Sequence, residues 1–254
     1  MVATAYKRLI WFAIPLVIVA AYALFSSSRE AQGKIAPGDI LRVGIDPTVP
    51  PFAAIVDDAF QGFEVELAEA IGTKLGTPVQ FVIVNYDSRY DALINNQVDC
   101  VVAMLAVDMT KTADVTYSRP YYDDGLLLVS MSQTYDDLAT ELQGQSVSFA
   151  YGSEADTTTR QWQVRIEGLE RRPYEFASSA LDAMRLGDAD TALVDATTYY
   201  LYEDETDFQI TWVSSVPYAI AVAKDRPGLA QQINSVLDDF MSDGTLSQMI
   251  ESWF

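Results

Sequence analysis

Two apolar segments that each end in charged residues are the first indication of the chemistry of this chain. Residues 98–107 are followed by a polar loop that contains Asp108 and Lys111, and residues 190–195 end in a carboxylate. We expect both segments to form buried strands, and open α/β sheets bind their ligands at the carboxyl ends of such strands. Because the two segments lie far apart in the chain, they predict two lobes that face one cleft.

The composition excludes several kinds of chemistry. The 254 residues include no histidine, which rules out a Ser-His or Cys-His catalytic pair and a histidine metal site. The formal net charge of -20 argues against a nucleic acid partner, whose phosphates would be repelled. The single cysteine, Cys100, lies inside the first apolar segment and is interpreted as a small buried hydrophobic residue. We expect no cofactor and no metal ion.

Residues 1–30 have the pattern of an export signal or of a membrane anchor. Lys7 and Arg8 precede an unbroken apolar run over residues 9–25, and a polar stretch follows it. The run is at the short end for a membrane span, which needs roughly 17–25 residues, so cleavage and retention both stay open. A buried core helix is a third alternative. If residues 1–30 are a signal or an anchor, the residues after them function outside the cytoplasmic membrane. Residues 31–40 are expected to form a linker.

Apolar periodicity and turn residues predict alternating strands and helices after the linker. In the first part they predict a strand over 41–45, a stiff loop over 46–52, a helix over 63–75, a strand over 79–84 and a short helix over 90–95. In the second part they predict strands at 146–150, 174–176 and 190–195, with helices over 136–142 and 179–186 and a helix that a loop at 151–154 opens and that ends near 166. Residues 126–131 and 218–223 are candidate crossings between lobes, before a final helical part over 229–254. This order is typical of a parallel sheet with helices on its faces.

Eight short segments follow one another in an informative order. They are LRVGIDPTVPPF (41–52), GFEVELAEAIGTKLG (62–76), VDCVVAML (98–105), VTYSRPYY (115–122), LQGQSVSFAYGS (142–153), DTALVDATTYYLY (190–202), YAIAVAKDRPGLAQQIN (218–234) and DGTLSQMIESWF (243–254). Together they resemble family 3, the amino-acid-binding family, of the bacterial extracellular solute-binding proteins of ABC importers. The resemblance implies an α/β fold of the two-lobe periplasmic-binding-protein type II, with two hinge strands and a ligand cleft between the lobes. It implies a first lobe at 41–127 plus 218–254 and a second lobe at 128–217.

The resemblance also implies roles for four residues in the capture of a free amino acid. Asp195 matches the carboxylate that binds the ligand's ammonium, and Ser153 matches a hydroxyl residue at a helix start that receives an anion. Tyr86 lies where the family stacks an aromatic ring on the ligand, and Asp46 lies where binders of basic amino acids use a carboxylate. A helix N-cap is the alternative for Asp195 and Ser153. Packing is the alternative for Tyr86, and an Asp-Pro turn is the alternative for Asp46.

Four positions depart from the family's pattern. The arginine that binds the ligand carboxylate is replaced by Lys111, whose ammonium lacks the planar two-point fork of a guanidinium. Ala106 and Asp108 replace hydroxyl residues, and Asp108 could pair with Lys111. Glu154 replaces a threonine beside the ligand carboxylate. Arg89 and Arg160, each near a helix start, are candidates to bind that carboxylate instead.

The implied pocket therefore holds an excess of negative charge. Four acidic side chains would face Lys111 alone, and they are Asp46, Asp108, Glu154 and Asp195. Desolvating this charge is costly without a cation to balance it. We therefore expect a cationic ligand, either a basic amino acid or a related amine with or without an α-carboxylate, and we expect acidic amino acids to fit worst.

The main hypothesis is a monomeric receptor without enzymatic activity that closes on its ligand and docks on an ABC permease. It is expected in the periplasm or outside the cell, with or without a membrane tether at residues 9–25. Two alternatives stay open. One is a membrane-tethered sensing module that signals through a separate protein. The other is a periplasmic dehydratase on the same fold, with Glu154 or Asp108 as general acid.

Overall fold

The computed structural model describes residues 33–202 and 208–254. The predicted export signal or anchor at residues 1–30 lies outside the described residues, as does the start of the linker. Within the two described ranges, no helix is both long enough and apolar enough to cross a membrane.

Strands and helices alternate along the described chain. The strands are β1 (Leu41–Ile45), β2 (Thr48–Val49), β3 (Ala53–Val56), β4 (Ala59–Gln61), β5 (Val79–Ile83), β6 (Cys100–Val101), β7 (Val115–Asp123), β8 (Leu126–Ser130), β9 (Ser146–Ala150), β10 (Glu170–Tyr174), β11 (Thr191–Asp195), β12 (Gln209–Trp212) and β13 (Pro217–Ala223). The helices are α1 (Phe63–Leu75), α2 (Arg89–Ile94), α3 (Leu138–Glu141), α4 (Glu154–Arg165), α5 (Ala177–Arg185), α6 (Ala196–Tyr200), α7 (Pro227–Asp243) and α8 (Thr245–Trp253). A short 3₁₀ turn spans Met109–Lys111.

The chain divides into two compact units. The first comprises the described residues up to Arg119 together with Ala219–Trp253, and the second comprises Pro120–Tyr218 with Phe254. The divisions fall inside β7 and β13, so these two strands carry the chain from one unit to the other. The crossing predicted at residues 126–131 is wrong, because these residues largely form β8, which pairs with β11 and β12 inside the second unit.

The first unit is built on a sheet with the strand order β5-β1-β6-β13-β7. β1 lies parallel to β5 and to β6, with Val43 opposite Phe81 on one side and opposite Cys100 on the other. β13 is antiparallel to β6, and Ala221 faces Val101 there. The parallel sheet predicted for this part of the chain is therefore confirmed for β5, β1 and β6, and the returning strand adds an antiparallel neighbour.

Helix α1 has the bounds that the apolar spacing predicts. Phe63, Leu67 and Ile71 recur on one face and are buried. Acidic residues lie in the first turn and Lys74 lies in the last, which suits the helix dipole. Gly76 ends the helix in the left-handed conformation, with a φ of 70°, and its N–H closes the last turn.

The central strand is much shorter than predicted. Residues 98–107 were expected to form one strand, but only Cys100 and Val101 do so. The N–H groups on either side still donate to β1, since Asp99 N–H lies 2.8 Å from the Arg42 carbonyl oxygen. Met104 then takes a φ of 44° and donates its N–H to Glu64 Oε1 at 2.6 Å. An apolar run can therefore leave the extended conformation while most of it stays buried, because a side chain supplies the hydrogen bond that a neighbouring strand would have supplied.

The loop predicted over residues 46–52 contains one two-residue strand, which begins a small sheet. β2, β3 and β4 form an antiparallel sheet of three short strands. Asp57 and Asp58 connect β3 to β4, and both have positive φ, at 50° and 61°. Two consecutive left-handed residues make the type of tight turn that matches the twist of a hairpin. Asp-Asp is a less common sequence for that turn than Asn-Gly, which is why the hairpin was not predicted.

The second unit has the sheet order β10-β9-β11-β8-β12. β9 is parallel to β10 and β11, whereas β8 is antiparallel to β11 and β12. Leu128 and Leu193 belong to one buried cluster, while their neighbours Leu127 and Val194 pack with Leu181 of α5 in another. Apolar side chains on both faces explain why the strand sequence reads as a continuous hydrophobic run.

Asp99 joins segments of the first unit that are far apart in the chain. Its carboxylate is buried and accepts from the Arg42 backbone N–H at 2.8 Å and from the Arg42 guanidinium at 2.8 Å. The guanidinium of Arg226, at the start of α7, donates to the same carboxylate. Burial alone would raise the pKa of Asp99, but the hydrogen bonds from Arg42 and the charge of Arg226 lower it. The ionised carboxylate therefore ties β1 to the start of α7.

Replacing Asp99 with alanine is expected to lower the free energy of unfolding by about 3 kcal/mol, because two arginines lose their buried partner. Urea unfolding followed by circular dichroism measures the change. Asp239 is an exposed residue on α7, and Asp239→Ala serves as the control with an expected change of less than about 0.5 kcal/mol. Similar losses in both variants would contradict this role of Asp99.

The Cys100 thiol is expected to be unreactive in the folded protein. It is 2% exposed, and burial raises its pKa to about 12, so very little thiolate forms at pH 8. Ellman's reagent at pH 8 should therefore titrate no thiol in the native protein and one thiol after unfolding in guanidinium. Rapid reaction of the native protein would contradict the buried position.

Candidate functional site

A cavity of about 300 Å³ opens in the second unit at the carboxyl ends of β9 and β11. Three carboxylate side chains line it, those of Asp124, Glu154 and Asp195, and we refer to it as the acidic cavity. Its other lining residues are Leu126, Ala150, Ser153, Ala155, Ala177, Leu193, Val194, Val216 and Tyr218. β9 and β11 are parallel neighbours, so the cavity lies where an α/β sheet places its ligands.

Asp195 is the last residue of β11 and the N-cap of α6. Its Oδ1 accepts from the Thr198 N–H at 2.7 Å, and its Oδ2 accepts from the Thr198 hydroxyl at 2.8 Å. The N-cap alternative is therefore present in the structure. A carboxylate can accept about four hydrogen bonds, so the cap leaves Asp195 able to bind a further donor from the cavity.

Asp124 was not predicted as a site residue, yet it shares this cavity. Its Oδ1 accepts from the Thr197 N–H at 2.9 Å and its Oδ2 accepts from the Tyr218 hydroxyl at 2.9 Å. Burial raises the pKa of Asp124, the bonds from Thr197 and Tyr218 work in the opposite direction, and the charge of Asp195 raises it further. The net shift of the Asp124 pKa is upward, so the protein without a ligand favours the ionised side chain less than water does.

The turn that carries Asp124 is held tightly against residues 214–216. Asp123 accepts from the Val216 N–H at 2.8 Å and from the Gly125 N–H at 3.0 Å. Gly125 has no room for a side chain, because an added Cβ would lie 2.0 Å from the Ser214 carbonyl oxygen. This close approach determines where the neighbouring Asp124 side chain can lie.

Ser153 and Glu154 begin helix α4 at the edge of the cavity. Ser153 is the N-cap of that helix: its Oγ accepts from the Asp156 N–H at 3.2 Å and donates to the Ala150 carbonyl at 2.7 Å. Glu154 is exposed and lines the cavity. The hydroxyl of Ser153 is therefore already used in capping, while the Glu154 carboxylate adds negative charge at the mouth.

Arg160 does not line the acidic cavity, and it pairs with Asp156 instead. Its guanidinium donates to Asp156 with both contacts at 2.9 Å, and Arg171 donates to the same carboxylate. Hydrogen bonds from Arg160 and from the Gly152 N–H lower the pKa of Asp156. The cavity lining contains no basic side chain.

The other four predicted site residues lie in the first unit. Asp46 accepts from the Thr48 N–H and hydroxyl, at 3.2 and 2.7 Å, and so forms a turn after β1. Asp108 accepts from Thr110 in the same way, at 2.8 and 2.7 Å, and these bonds lower its pKa. The described residues show no ion pair between Asp108 and Lys111, although the lysine charge also lowers the Asp108 pKa.

Aromatic rings lie against the two cations of the first unit that the sequence marked as candidate carboxylate partners. The guanidinium of Arg89 lies 4.0 Å from the ring centroid of Tyr86, which is 72% exposed, and the ammonium of Lys111 lies 5.4 Å from the ring of Tyr90. The Tyr90 hydroxyl is 2.7 Å from that of Tyr117. The Nε of Arg89 is buried without a hydrogen-bond partner among the described residues. Tyr86 thus lies against a cation of its own chain.

The structure therefore brings Ser153, Glu154 and Asp195 around one cavity and adds Asp124 and Tyr218. Both added residues were missed, because Asp124 lies in an Asp-Asp-Gly sequence that is typical of a turn and Tyr218 begins an apolar strand. The available signal was the pair of adjacent acids directly before a buried strand.

The fold and this cavity define a small-molecule-binding protein of the α/β class. The family model for bacterial extracellular solute-binding proteins, family 3, matches residues 41–254, and the chain belongs to that family. The predicted family and the predicted fold class are both confirmed, and the proteins of this family bind solutes.

Individual relatives are distant but extend over most of the chain. The L-cystine-binding protein TcyJ of Escherichia coli (strain K12) is 24% identical over 94% of this chain and 92% of its own length. The ABC transporter arginine-binding protein 1 of the same strain is 23% identical over 94% of this chain and 98% of its own. The L-cystine solute receptor of Neisseria gonorrhoeae, in an unliganded open conformation, has a TM-score of 0.72, with 22% identity, 85% of this chain covered and 92% of its own.

Substituting Gly125 with alanine is expected to destabilise the protein by about 1–3 kcal/mol, since the new methyl group would collide with the Ser214 carbonyl. Thermal unfolding of the purified variant measures this. Ser215→Ala is the matched control, because it removes only the hydroxyl that donates to Asp123 and should cost about 1 kcal/mol. A Gly125→Ala variant as stable as the original protein would show that the turn is not held as tightly as described.

Proposed function

We propose that this protein captures a cationic amino acid or a related amine outside the cytoplasmic membrane and delivers it to an ABC importer. The observation that carries the proposal is the charge of the acidic cavity. Asp124, Glu154 and Asp195 line it, and none of its lining residues is basic. A ligand that brings positive charge would balance carboxylates that the described protein leaves without a cation.

Another carboxylate of the second unit, that of Asp156, differs from those of the cavity because it pairs with cations. Asp156 is buried, and Arg160 and Arg171 both pair with it. Both charges of the arginines face this one buried carboxylate. Among the described residues, Asp124 and Asp195 of the cavity accept only from neutral donors, namely backbone N–H groups and hydroxyls.

We assign the ligand's ammonium to Asp195, with Ser153 and Glu154 beside it. For ligands that carry a carboxylate, Lys111 and Arg89 are the proposed partners, because neither pairs with an acid among the described residues. Tyr86, Asp46 and Asp108 stay proposals as ligand contacts. The close packing of Arg89 on Tyr86 favours a role of that ring in orienting the guanidinium.

The proposed partner in the membrane is an ABC permease, and the proposed state in solution is a monomer that binds no nucleic acid. Membership of an extracellular family supports the location. Tethering by residues 9–25 is proposed on their sequence alone. We propose no enzymatic activity, in line with the binding proteins named among the relatives. The cystine and arginine in those names support an amino acid as the ligand class.

A thermal-shift screen tests the proposal. The purified protein is scanned against the standard amino acids, ornithine, putrescine, spermidine, choline and betaine. A ligand at a hundredfold excess over its Kd stabilises the folded protein by about 2.7 kcal/mol, so binding is visible as a rise in Tm. Arginine, lysine, ornithine or an amine should give the largest shift.

Two outcomes of the screen would contradict parts of the proposal. The largest shift with glutamate or aspartate would overturn the charge argument. A shift with a neutral amino acid alone would keep the protein among amino acid receptors but would discard the cationic ligand. Conversion of a bound ligand, followed by mass spectrometry, would overturn the assignment as a non-enzyme.

A further inference from the structure

We infer that Asp124 makes the acidic cavity selective for charged ligands. Its carboxylate, held beside Asp195, contacts the cationic side chain of the ligand and so discriminates that ligand from a neutral isostere. This inference rests on the proposed function and assigns it one more residue. It concerns a position in the turn between β7 and β8, outside the segments that the sequence marked as ligand contacts.

The position of Asp124 leaves it able to bind a ligand. It lines the cavity, and its carboxylate accepts hydrogen bonds from the Thr197 N–H and the Tyr218 hydroxyl, both at 2.9 Å, and from the Thr197 side chain. An ionised carboxylate can accept about four such bonds. The carboxylate therefore retains a lone pair for a donor inside the cavity.

The surrounding groups do not balance its charge. The titratable side chains near it are acids and phenols: Asp123, Glu154 and Asp195, with Tyr122 and Tyr218. Tyr122 stacks on Tyr218 with ring centroids 6.1 Å apart, which keeps the Tyr218 hydroxyl directed at Asp124. A bound cation would offset both the burial of the ionised Asp124 side chain and the repulsion from Asp195.

The fold does not require the negative charge of Asp124. An asparagine at this position would keep a carbonyl oxygen for the Thr197 N–H, and its amide could donate to the Tyr218 hydroxyl. The hydrogen-bond geometry can therefore survive without the charge. The charge itself destabilises the free protein, as its upward-shifted pKa indicates.

The test uses Asp124→Asn and a matched control, Asp182→Asn. Asp182 lies in the same unit, is also partly buried and also accepts from a tyrosine hydroxyl, that of Tyr202 at 2.7 Å, but it does not line the cavity. Isothermal titration with L-arginine, L-lysine and L-citrulline measures affinity, since citrulline is a neutral isostere of arginine.

The original protein is expected to bind arginine or lysine at least about tenfold more tightly than citrulline, as loss of one charge-assisted contact accounts for such a ratio. Asp124→Asn should reduce that preference to less than about threefold, and Asp182→Asn should leave it unchanged. Unchanged preference in Asp124→Asn would overturn the inference alone. A parallel loss for all three ligands would assign Asp124 a purely structural role. An original protein that binds neither cation would overturn the proposed function as well.

Stability gives a second, independent readout. The folded protein holds a proton on Asp124 more strongly than the unfolded chain does, so the stability of the free protein falls as pH rises through the pKa of Asp124. Asp124→Asn should lack this decrease and should melt at the same or a higher temperature at pH 8. A lower Tm for this variant at pH 8 would overturn the inference, because it would show that the charge serves the fold.

Discussion

Carboxylates that leave water need compensation, and two buried carboxylates of this chain receive it from arginines. Asp99 in the first unit receives Arg42 and Arg226, and Asp156 in the second receives Arg160 and Arg171. Arg42 and Arg226 come from distant parts of the chain, whereas Arg160 lies in α4 with Asp156 and Arg171 lies in the next strand, β10. The carboxylates that line the acidic cavity have no cationic partner among the described residues. Under the proposed function, the ligand provides that cation.

The scaffold determines the geometry of that cavity through a few close contacts. β11 ends at Asp195, where α6 begins, so the Thr198 N–H orients the carboxylate. The turn at Gly125 approaches Ser214 so closely that only glycine fits, which places Asp124 beside the start of α6. Asp156 anchors the first turn of α4, and Glu154 therefore stands at the rim of the cavity. Each of these positions depends on backbone hydrogen bonds within the second unit.

The sequence predicted the bounds of an element correctly where residues at its own ends mark them. The apolar spacing and Gly76 define α1, and β9 has the bounds that its apolar run predicts. Predictions from local sequence failed where a distant part of the chain supplies the hydrogen-bond partner. The apolar segment that contains Cys100 forms a strand only at Cys100 and Val101, and beyond it the Met104 N–H donates to Glu64 of α1. The hairpin through Asp57 and Asp58 was missed because its turn uses carboxylates where glycine or asparagine is usual.

The sequence alone determined the family, the α/β class and the acidic character of the candidate pocket, because motifs and charge are properties of the chain itself. It also marked Asp195, Ser153 and Glu154, whose positions after strands β11 and β9 follow from strand polarity. Only the tertiary structure decided that Asp124 and Tyr218 join them, that Arg160 serves Asp156, and that Arg89 lies on Tyr86. These residues come into contact only when the chain folds. Their spacing along the chain therefore does not predict which charged side chains pair with each other and which do not.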